Sequence, residues 1–174
     1  MTRALLSIGS NLGDRYAHLN AAVEALGGTV ARVSPVYETP PWGDAEQPAY
    51  LNAAVLVIDA AADSRSWLTR ARDLEQAAGR VRDPARRFGP RTLDVDVIAV
   101  WRDGEPVLSD DPELTLPHPR AHLRAFVLQP WLDLDSGAVL PGHGPVAELL
   151  VSPELATDAK ALTPLRDLRL KSQE

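Results

Sequence analysis

Two aspartates separated by one residue, in Arg91-Thr92-Leu93-Asp94-Val95-Asp96-Val97-Ile98, carry the clearest chemical signal in this 174-residue chain. Side chains alternate along a strand, so Asp94 and Asp96 share one face while Leu93, Val95 and Val97 share the other. Their Cα atoms then lie ~6.5–7 Å apart, close enough for both carboxylates to converge on one or two hard cations. Ile98 and Val100 continue the aspartate face as apolar residues, so that face is not simply solvated. Two acids at the mouth of an apolar strand need a partner. Arg80, Arg82, Arg86, Arg87 and Arg91 fall within twelve positions just upstream, opposed only by Asp83. Of the 18 basic residues only Lys160 and Lys171 are lysines. GC-rich coding accounts for that bias but not for the clustering. Paired acids beside dense arginine build a site for metal ions and a polyphosphate.

Other residues contribute less specific signals. His118, in Leu116-Pro117-His118-Pro119-Arg120, has rigid flanks that fix its direction, with Arg120 and Arg124 within helical reach. A phosphate or ribose contact and an ordinary hydrogen-bonded histidine both suit it. Tyr50 and Asn52 share a strand face, where an aromatic ring and an amide can stack on and bond a flat heterocycle. Trp42 sits in a proline-fixed loop with no periodic reason for burial, whereas Trp67 and Trp131 read as core. Gly9-Ser10-Asn11-Leu12-Gly13 invites a phosphate-loop reading, but a tight strand-to-helix turn explains both glycines as well and is preferred. There is no Walker A lysine, no zinc-ligand spacing and no Gly-x-Ser-x-Gly elbow.

The elements that must position these residues follow from local pattern. Arg3 to Ser10 reads as a first strand. Asp14 caps a helix carrying Tyr16, Leu19, Val23 and Leu26, which Gly27-Gly28 stops. Thr29 to Glu38 reads as one edge strand containing a proline. Thr39 to Pro48 is a stiff loop with three prolines. Tyr50 to Ile58 is a strand, and Asp63 or Ser64 caps a helix presenting Trp67, Ala71, Leu74 and Ala78. The arginine-rich loop spans Gly79 to Pro90 and precedes a strand from Thr92 to Val100. Asp103-Gly104 turns the chain into Val107-Leu108. A third helix after His118-Pro119 carries Leu123, Phe126 and Val127, and a short one begins at Pro145. The β-α-β-β-α-β order fits an α+β split arrangement with an antiparallel sheet better than a parallel doubly wound one.

Composition sets the outer bounds. The length suits one domain, expected over residues 1–151 with a polar tail over 152–174, and such a chain needs no staples to hold a core. At 45% hydrophobic and 24% charged it is an ordinary globular sequence. A net charge of −6 argues against general attraction to nucleic acid or anionic membrane. Cysteine is absent, which excludes thiol catalysis and disulfides. The start lacks a signal-peptide apolar segment, and no run approaches a membrane span, so a cytoplasmic location is expected.

The run Arg87-Phe88-Gly89-Pro90-Arg91-Thr92-Leu93-Asp94-Val95-Asp96-Val97-Ile98 resembles the signature of the 6-hydroxymethyl-7,8-dihydropterin pyrophosphokinases. The resemblance extends to Ile8-Gly9-Ser10-Asn11-Leu12, Thr39-Pro40-Pro41-Trp42-Gly43, Gln47-Pro48, Tyr50-Leu51-Asn52-Ala53-Ala54, Glu75, Gly79-Arg80, Pro117-His118-Pro119-Arg120 and Arg124-Ala125-Phe126-Val127-Leu128. These matches run in order across residues 1–150, and order is more specific than any one of them. The resemblance implies a ferredoxin-like fold with an added hairpin and C-terminal helices. It also implies transfer of pyrophosphate from MgATP to the pterin hydroxymethyl group with release of AMP, in folate biosynthesis. By the same resemblance Asp94 and Asp96 hold two Mg²⁺ ions, and Arg80 and Arg91 stabilise the transferring phosphoryl group. Arg82, Arg87, His118 and Arg124 lie on the nucleotide phosphates, with Thr115 and Val97 near the nucleoside. The pterin stacks between Trp42 and Phe126 beside Tyr50, with Phe88 as a lid. Asn52 and the chain around Thr39 and Pro40 read its ring edge. A monomer without an obligate protein partner is expected.

Phe88 stands where relatives often have Trp, and Arg72 and Glu113 occupy positions that can be Gln and Arg, so neither is assigned to ATP. Two rivals use the same residues differently. A metal-dependent phosphohydrolase or nucleotidyl transferase would share the acids and arginines. A non-catalytic nucleotide-binding module would leave the acids on their apolar strand unexplained.

Overall fold

The structure, a computed structural model, describes residues 1–41, 43, 45–79, 84–85 and 91–171. Its elements are β1 (Thr2–Ser10), α1 (Arg15–Leu26), β2 (Val30–Val33), β3 (Tyr37–Thr39), β4 (Tyr50–Asp59), α2 (Ser64–Ala77), β5 (Asp94–Arg102), β6 (Glu105–Pro106), β7 (Ser109–Asp111), β8 (Leu114–Leu116), α3 (Ala125–Leu134), β9 (Val139–Leu140), β10 (Gly144–Pro145), α4 (Val146–Leu150), α5 (Ala156–Lys160) and β11 (Thr163–Pro164). The main sheet runs β11-β3-β4-β1-β5-β6, with β2 also on β4, and every pairing in it is antiparallel. With β5 beside β1 and β4 between β1 and the β2–β3 edge, this is the ferredoxin-like α+β order. Among the described residues no helix is long and apolar enough to cross a membrane.

Helices cover both faces of the sheet. Leu19, Val23 and Leu26 of α1 and Trp67, Ala71 and Leu74 of α2 pack on Leu6, Ile8, Val55, Val95 and Val97. On the other face Val127, Leu128 and Trp131 of α3 pack on Leu5, Ala54 and Ile98. The helix starts follow from their caps. The Asp14 carboxylate accepts the Ala17 N–H, and Asp63 and Ser66 form a reciprocal capping box. Trp67 is fully buried, and its indole N–H donates to Thr2 Oγ1 at 2.8 Å, tying α2 to the first strand.

Several boundaries depart from the sequence reading, each for a local reason. The single strand expected over Thr29–Glu38 is two, because Ser34 and Pro35 break the ladder between β2 and β3. The Ser34 hydroxyl accepts the Ala54 N–H there instead. The return strand of the Asp103-Gly104 hairpin is Glu105–Pro106 rather than Val107-Leu108, and both turn residues have positive φ. Leu123 lies in a single 3-10 turn, and α3 begins only at Ala125. The strand bearing the aspartates starts at Asp94, not Thr92. The polar tail adds an edge strand, with Thr163 opposite Glu38 and Pro164 opposite Tyr37.

A bulge in β5 corrects the expectation for Val100. Leu5 pairs with Ala99 and Leu6 with Val97, leaving Ile98 as the extra residue. Ile98 and Ala99 therefore both pack toward α3, while Val100 turns to the α1–α2 face. Of the two residues expected to continue the aspartate face, Ile98 does and Val100 does not. The freed Ile98 carbonyl accepts the His118 N–H at 2.8 Å, which docks the Pro117–Pro119 segment beside Asp96.

Candidate active site

The site lies on the α3 side of the sheet, where β1 ends and β4 and β5 begin. Asn52, Gly9 and Asp94 form one row across three strands, and Ala54, Ser7 and Asp96 form the next. Small residues on the central strand leave a floor between the amide on one side and the carboxylates on the other. Thr39, Pro40, Tyr50, Asn52, Arg91, Asp94, Arg124 and Phe126 line the resulting pocket. Five of the expected pterin residues and three of the expected nucleotide-side residues thus share one cavity.

Gly9 is in β1 and not in a turn, which corrects the turn explanation offered for it. A Cβ at this position would stand 2.4 Å from Asn52 Oδ1. The glycine is required by that close approach, and its absence of side chain opens the floor. Asn52 is almost fully buried, and its amide donates to Thr39 Oγ1 at 2.7 Å. That bond fixes the amide plane, leaving Oδ1 and the second N–H for a ligand. Asn52→Ala is expected to weaken binding of a heterocycle in this pocket by roughly 1–3 kcal/mol while ATP affinity barely changes. Titration calorimetry with each ligand separately checks this, and a loss confined to ATP would move the pocket's ligand elsewhere.

The carboxylates are flanked by cations. Arg91 Nη1 is 2.9 Å from Asp94 Oδ2, and Arg124 Nη1 is 3.4 Å from Asp96 Oδ2. Arg124 also places its guanidinium 5.6 Å from the Phe126 ring centroid. His118 Nε2 stands 3.9 Å from Asp96 Oδ1, while its Nδ1 accepts the Arg120 N–H at 3.1 Å, which puts the imidazole proton on Nε2. Burial and then the Arg124 charge push the His118 pKa down to about 4. The folded state thus binds this proton more weakly than the unfolded chain. The resulting stability is complete above pH 6.5 and is lost as pH falls toward 4, up to roughly 3 kcal/mol. Urea unfolding of the ligand-free protein at pH 7.5, 6 and 5 should show this decline, and His118→Gln should flatten it. Equal slopes in the two proteins would contradict the assignment.

Among the described residues four expected ones, Asp96, His118, Val97 and Thr115, are not in the cavity lining, though Asp96 pairs with the lining Arg124 and His118 stands beside Asp96. Val97 faces away from the carboxylates, its side chain packed in the α1–α2 core. Thr115, on β8, donates its hydroxyl to the Asp111 carbonyl at 3.0 Å. Arg72 and Glu113 pair with each other at 3.4 Å. Trp42, Arg80, Arg82, Arg86, Arg87 and Phe88 lie outside the described residues.

Asn11 is a positioning residue to which the sequence reading gave no role. Its side chain is buried and donates to Gln47 Oε1 at 2.9 Å and the Pro48 carbonyl at 3.0 Å. Its Oδ1 accepts the Arg91 N–H at 2.8 Å. One amide therefore joins the proline loop to the residue that pairs with Asp94. Arg15 supports the same loop, donating to the Ala49 carbonyl at 3.0 Å. The available sequence signal was an asparagine in a short polar turn, which tertiary contacts alone make specific.

Among the described residues no group of three or more His, Cys, Asp or Glu side chains could enclose a metal ion. Two hard carboxylates on one strand face fit Mg²⁺, which keeps waters and takes further oxygens from a substrate. Fold and site together define a ferredoxin-like α+β protein with two arginine-paired carboxylates beside a pocket lined by a buried amide and two aromatic rings. Residues 5–136 match the family model described as 7,8-dihydro-6-hydroxymethylpterin-pyrophosphokinase. Over 164 residues the chain is 48% identical to the 2-amino-4-hydroxy-6-hydroxymethyldihydropteridine pyrophosphokinase of Mycobacterium tuberculosis, covering 90% of this chain and 86% of that one. It is 55% identical over 150 residues to the enzyme of the same name from Mycobacterium leprae, covering 83% and 78%. A crystal structure of Plasmodium falciparum HPPK-DHPS superimposes with a TM-score of 0.61 at 12% identity, over 94% of this chain. This chain spans 46% of that one, so the likeness bears on fold alone. The chain belongs to the 7,8-dihydro-6-hydroxymethylpterin pyrophosphokinase family.

Proposed function

We propose that this protein transfers the β,γ-pyrophosphoryl group of ATP to the hydroxymethyl oxygen of 6-hydroxymethyl-7,8-dihydropterin, in folate biosynthesis. The observation that carries the site assignment is the row Asn52, Gly9, Asp94. A planar ring lying over Gly9 meets an oriented amide at one edge and directs a substituent at the other edge toward the carboxylates. Tyr50 and Phe126 supply aromatic surface for the ring, and the Thr39–Pro40 segment borders it.

The reaction forms one bond and breaks one. The hydroxymethyl oxygen attacks the β-phosphorus, and the bond from that phosphorus to the oxygen bridging the α-phosphate breaks. AMP leaves with that oxygen, and the hydroxyl proton passes to solvent. Asp94 and Asp96 would hold Mg²⁺, two ions in this reading, which would supply charge neutralisation for the triphosphate and acidify the hydroxyl. Arg91 and Arg124 bind phosphate oxygens and fix their orientation, which is most of what this chemistry asks of a protein. Arg120 and the neutral His118 border the same space. Arg80, Arg82, Arg87, Phe88 and Trp42 keep the roles that the family resemblance implies.

The direct test follows AMP formation from ATP with Mg²⁺, with and without the hydroxymethyl pterin. AMP should appear only when the pterin is present, together with a diphosphorylated pterin. Pterin-independent release of phosphate or pyrophosphate would favour a hydrolase instead.

A further inference from the structure

In the ligand-free protein each aspartate already has a cation beside it, and that cation is a guanidinium. The two pairs stand in the same pocket mouth, at 2.9 Å for Arg91–Asp94 and 3.4 Å for Arg124–Asp96. They are sheltered from water, with the side chains of Arg124 and Arg91 only 8% and 19% exposed. A partly buried carboxylate without a counter-charge is costly, so the arginines stabilise the acids where they stand. Arg120 adds a third positive charge whose field reaches Arg124. Among the described residues, three guanidiniums thus gather around the two carboxylates. A bare divalent cation arriving here meets acids already paired with guanidiniums. A polyphosphate meets the opposite, three donors for its oxygens.

We propose that Arg91 and Arg124 are exchange counter-ions. They hold Asp94 and Asp96 until nucleotide arrives, then pass to its phosphates as the metal takes the carboxylates, so that metal and nucleotide load together. This rests on the reading of Asp94 and Asp96 as the metal ligands. The consequence is asymmetric: removing the Arg124 charge should help the metal alone and harm the nucleotide.

The test titrates Mn²⁺ into the protein and follows free Mn²⁺ by electron paramagnetic resonance, without nucleotide and with a nonhydrolysable ATP analogue. Arg124→Gln should bind Mn²⁺ alone at least about tenfold more tightly than wild type, because a unit charge beside the ligands is gone. Its affinity for the analogue should fall. Arg124→Lys, which keeps the charge, should stay near wild type for Mn²⁺ alone. Arg91→Gln tests the same exchange at Asp94 if Arg124→Gln does not fold. Unchanged or weaker Mn²⁺ binding in both Gln variants, with Asp96→Asn still abolishing it, would overturn the exchange and leave the metal site standing. If Asp96→Asn left Mn²⁺ binding intact even with the analogue present, the metal reading itself would fail.

Discussion

Asp94→Asn and Asp96→Asn should each lower turnover by about 10³-fold or more while the protein stays folded. The substitution preserves size and removes one of the two charges proposed to hold the metal ions at the triphosphate. Loss of a group that stabilises transition-state charge typically costs ~3–4 kcal/mol, which sets that scale. Folding should survive because the core face of β5 is formed by Val95, Val97 and Val100, none of which is touched. The double variant should lose far less than the product of the single losses, because both acids serve the same ions. Single-turnover rates with saturating ATP and pterin provide the measurement. Multiplicative losses would mean that the acids act independently, which a shared metal site does not allow.

The second large effect belongs to Gly9. In Gly9→Ala the new methyl would stand 2.4 Å from Asn52 Oδ1, so the amide must turn away and break its 2.7 Å bond to Thr39. Pterin affinity should fall by at least about tenfold, since a displaced amide leaves ring groups unpaired. The methyl also occupies the floor on which the ring would lie. Nucleotide affinity should hold, because the nearest neighbours of the new methyl are Asn52 and Tyr50 rather than Arg91 or Arg124. Overpacking should cost folding stability on the order of 1–3 kcal/mol. Adding Asn52→Ala should restore much of that stability without restoring pterin binding. A Gly9→Ala protein with wild-type pterin affinity would contradict the floor. Calorimetry for each ligand, with denaturant unfolding alongside, separates the two effects.

These two sites differ in how far the sequence exposed them. Asp94 and Asp96 were legible because strand alternation is a local rule and the neighbouring Leu93, Val95 and Val97 declare the buried face. The helix starts were legible for the same kind of reason, since Asp14 and Asp63 cap within their own turns. Gly9 was not, because what demands a glycine there is Asn52, on the neighbouring strand β4. The bulge at Ile98 was hidden likewise: it is a property of the register between β1 and β5, and no residue of β5 announces it. Its effect was to take Val100 off the aspartate face and to create the carbonyl that holds His118. The tail strand shows a third limit. Thr163 and Pro164 have no strand pattern of their own and pair only because β3 presents an open edge. Asn11 lies between these cases, named within a motif yet given no role until its bonds to Gln47, Pro48 and Arg91 are seen.

The central claim is that the pterin hydroxymethyl oxygen, placed by the Asn52 row, attacks the β-phosphorus of ATP beside Asp94 and Asp96. Phosphorus-31 nuclear magnetic resonance on the products made from hydroxymethyl pterin labelled with ¹⁸O tests it most directly. The account predicts an isotope shift on the phosphorus bonded to the oxygen of the pterin methylene, and none on AMP. An isotope shift on the phosphorus of an adenylylated pterin, formed with release of pyrophosphate, or an unshifted pterin diphosphate, would contradict it, the first by moving the attack to the α-phosphorus and the second by breaking the pterin carbon–oxygen bond.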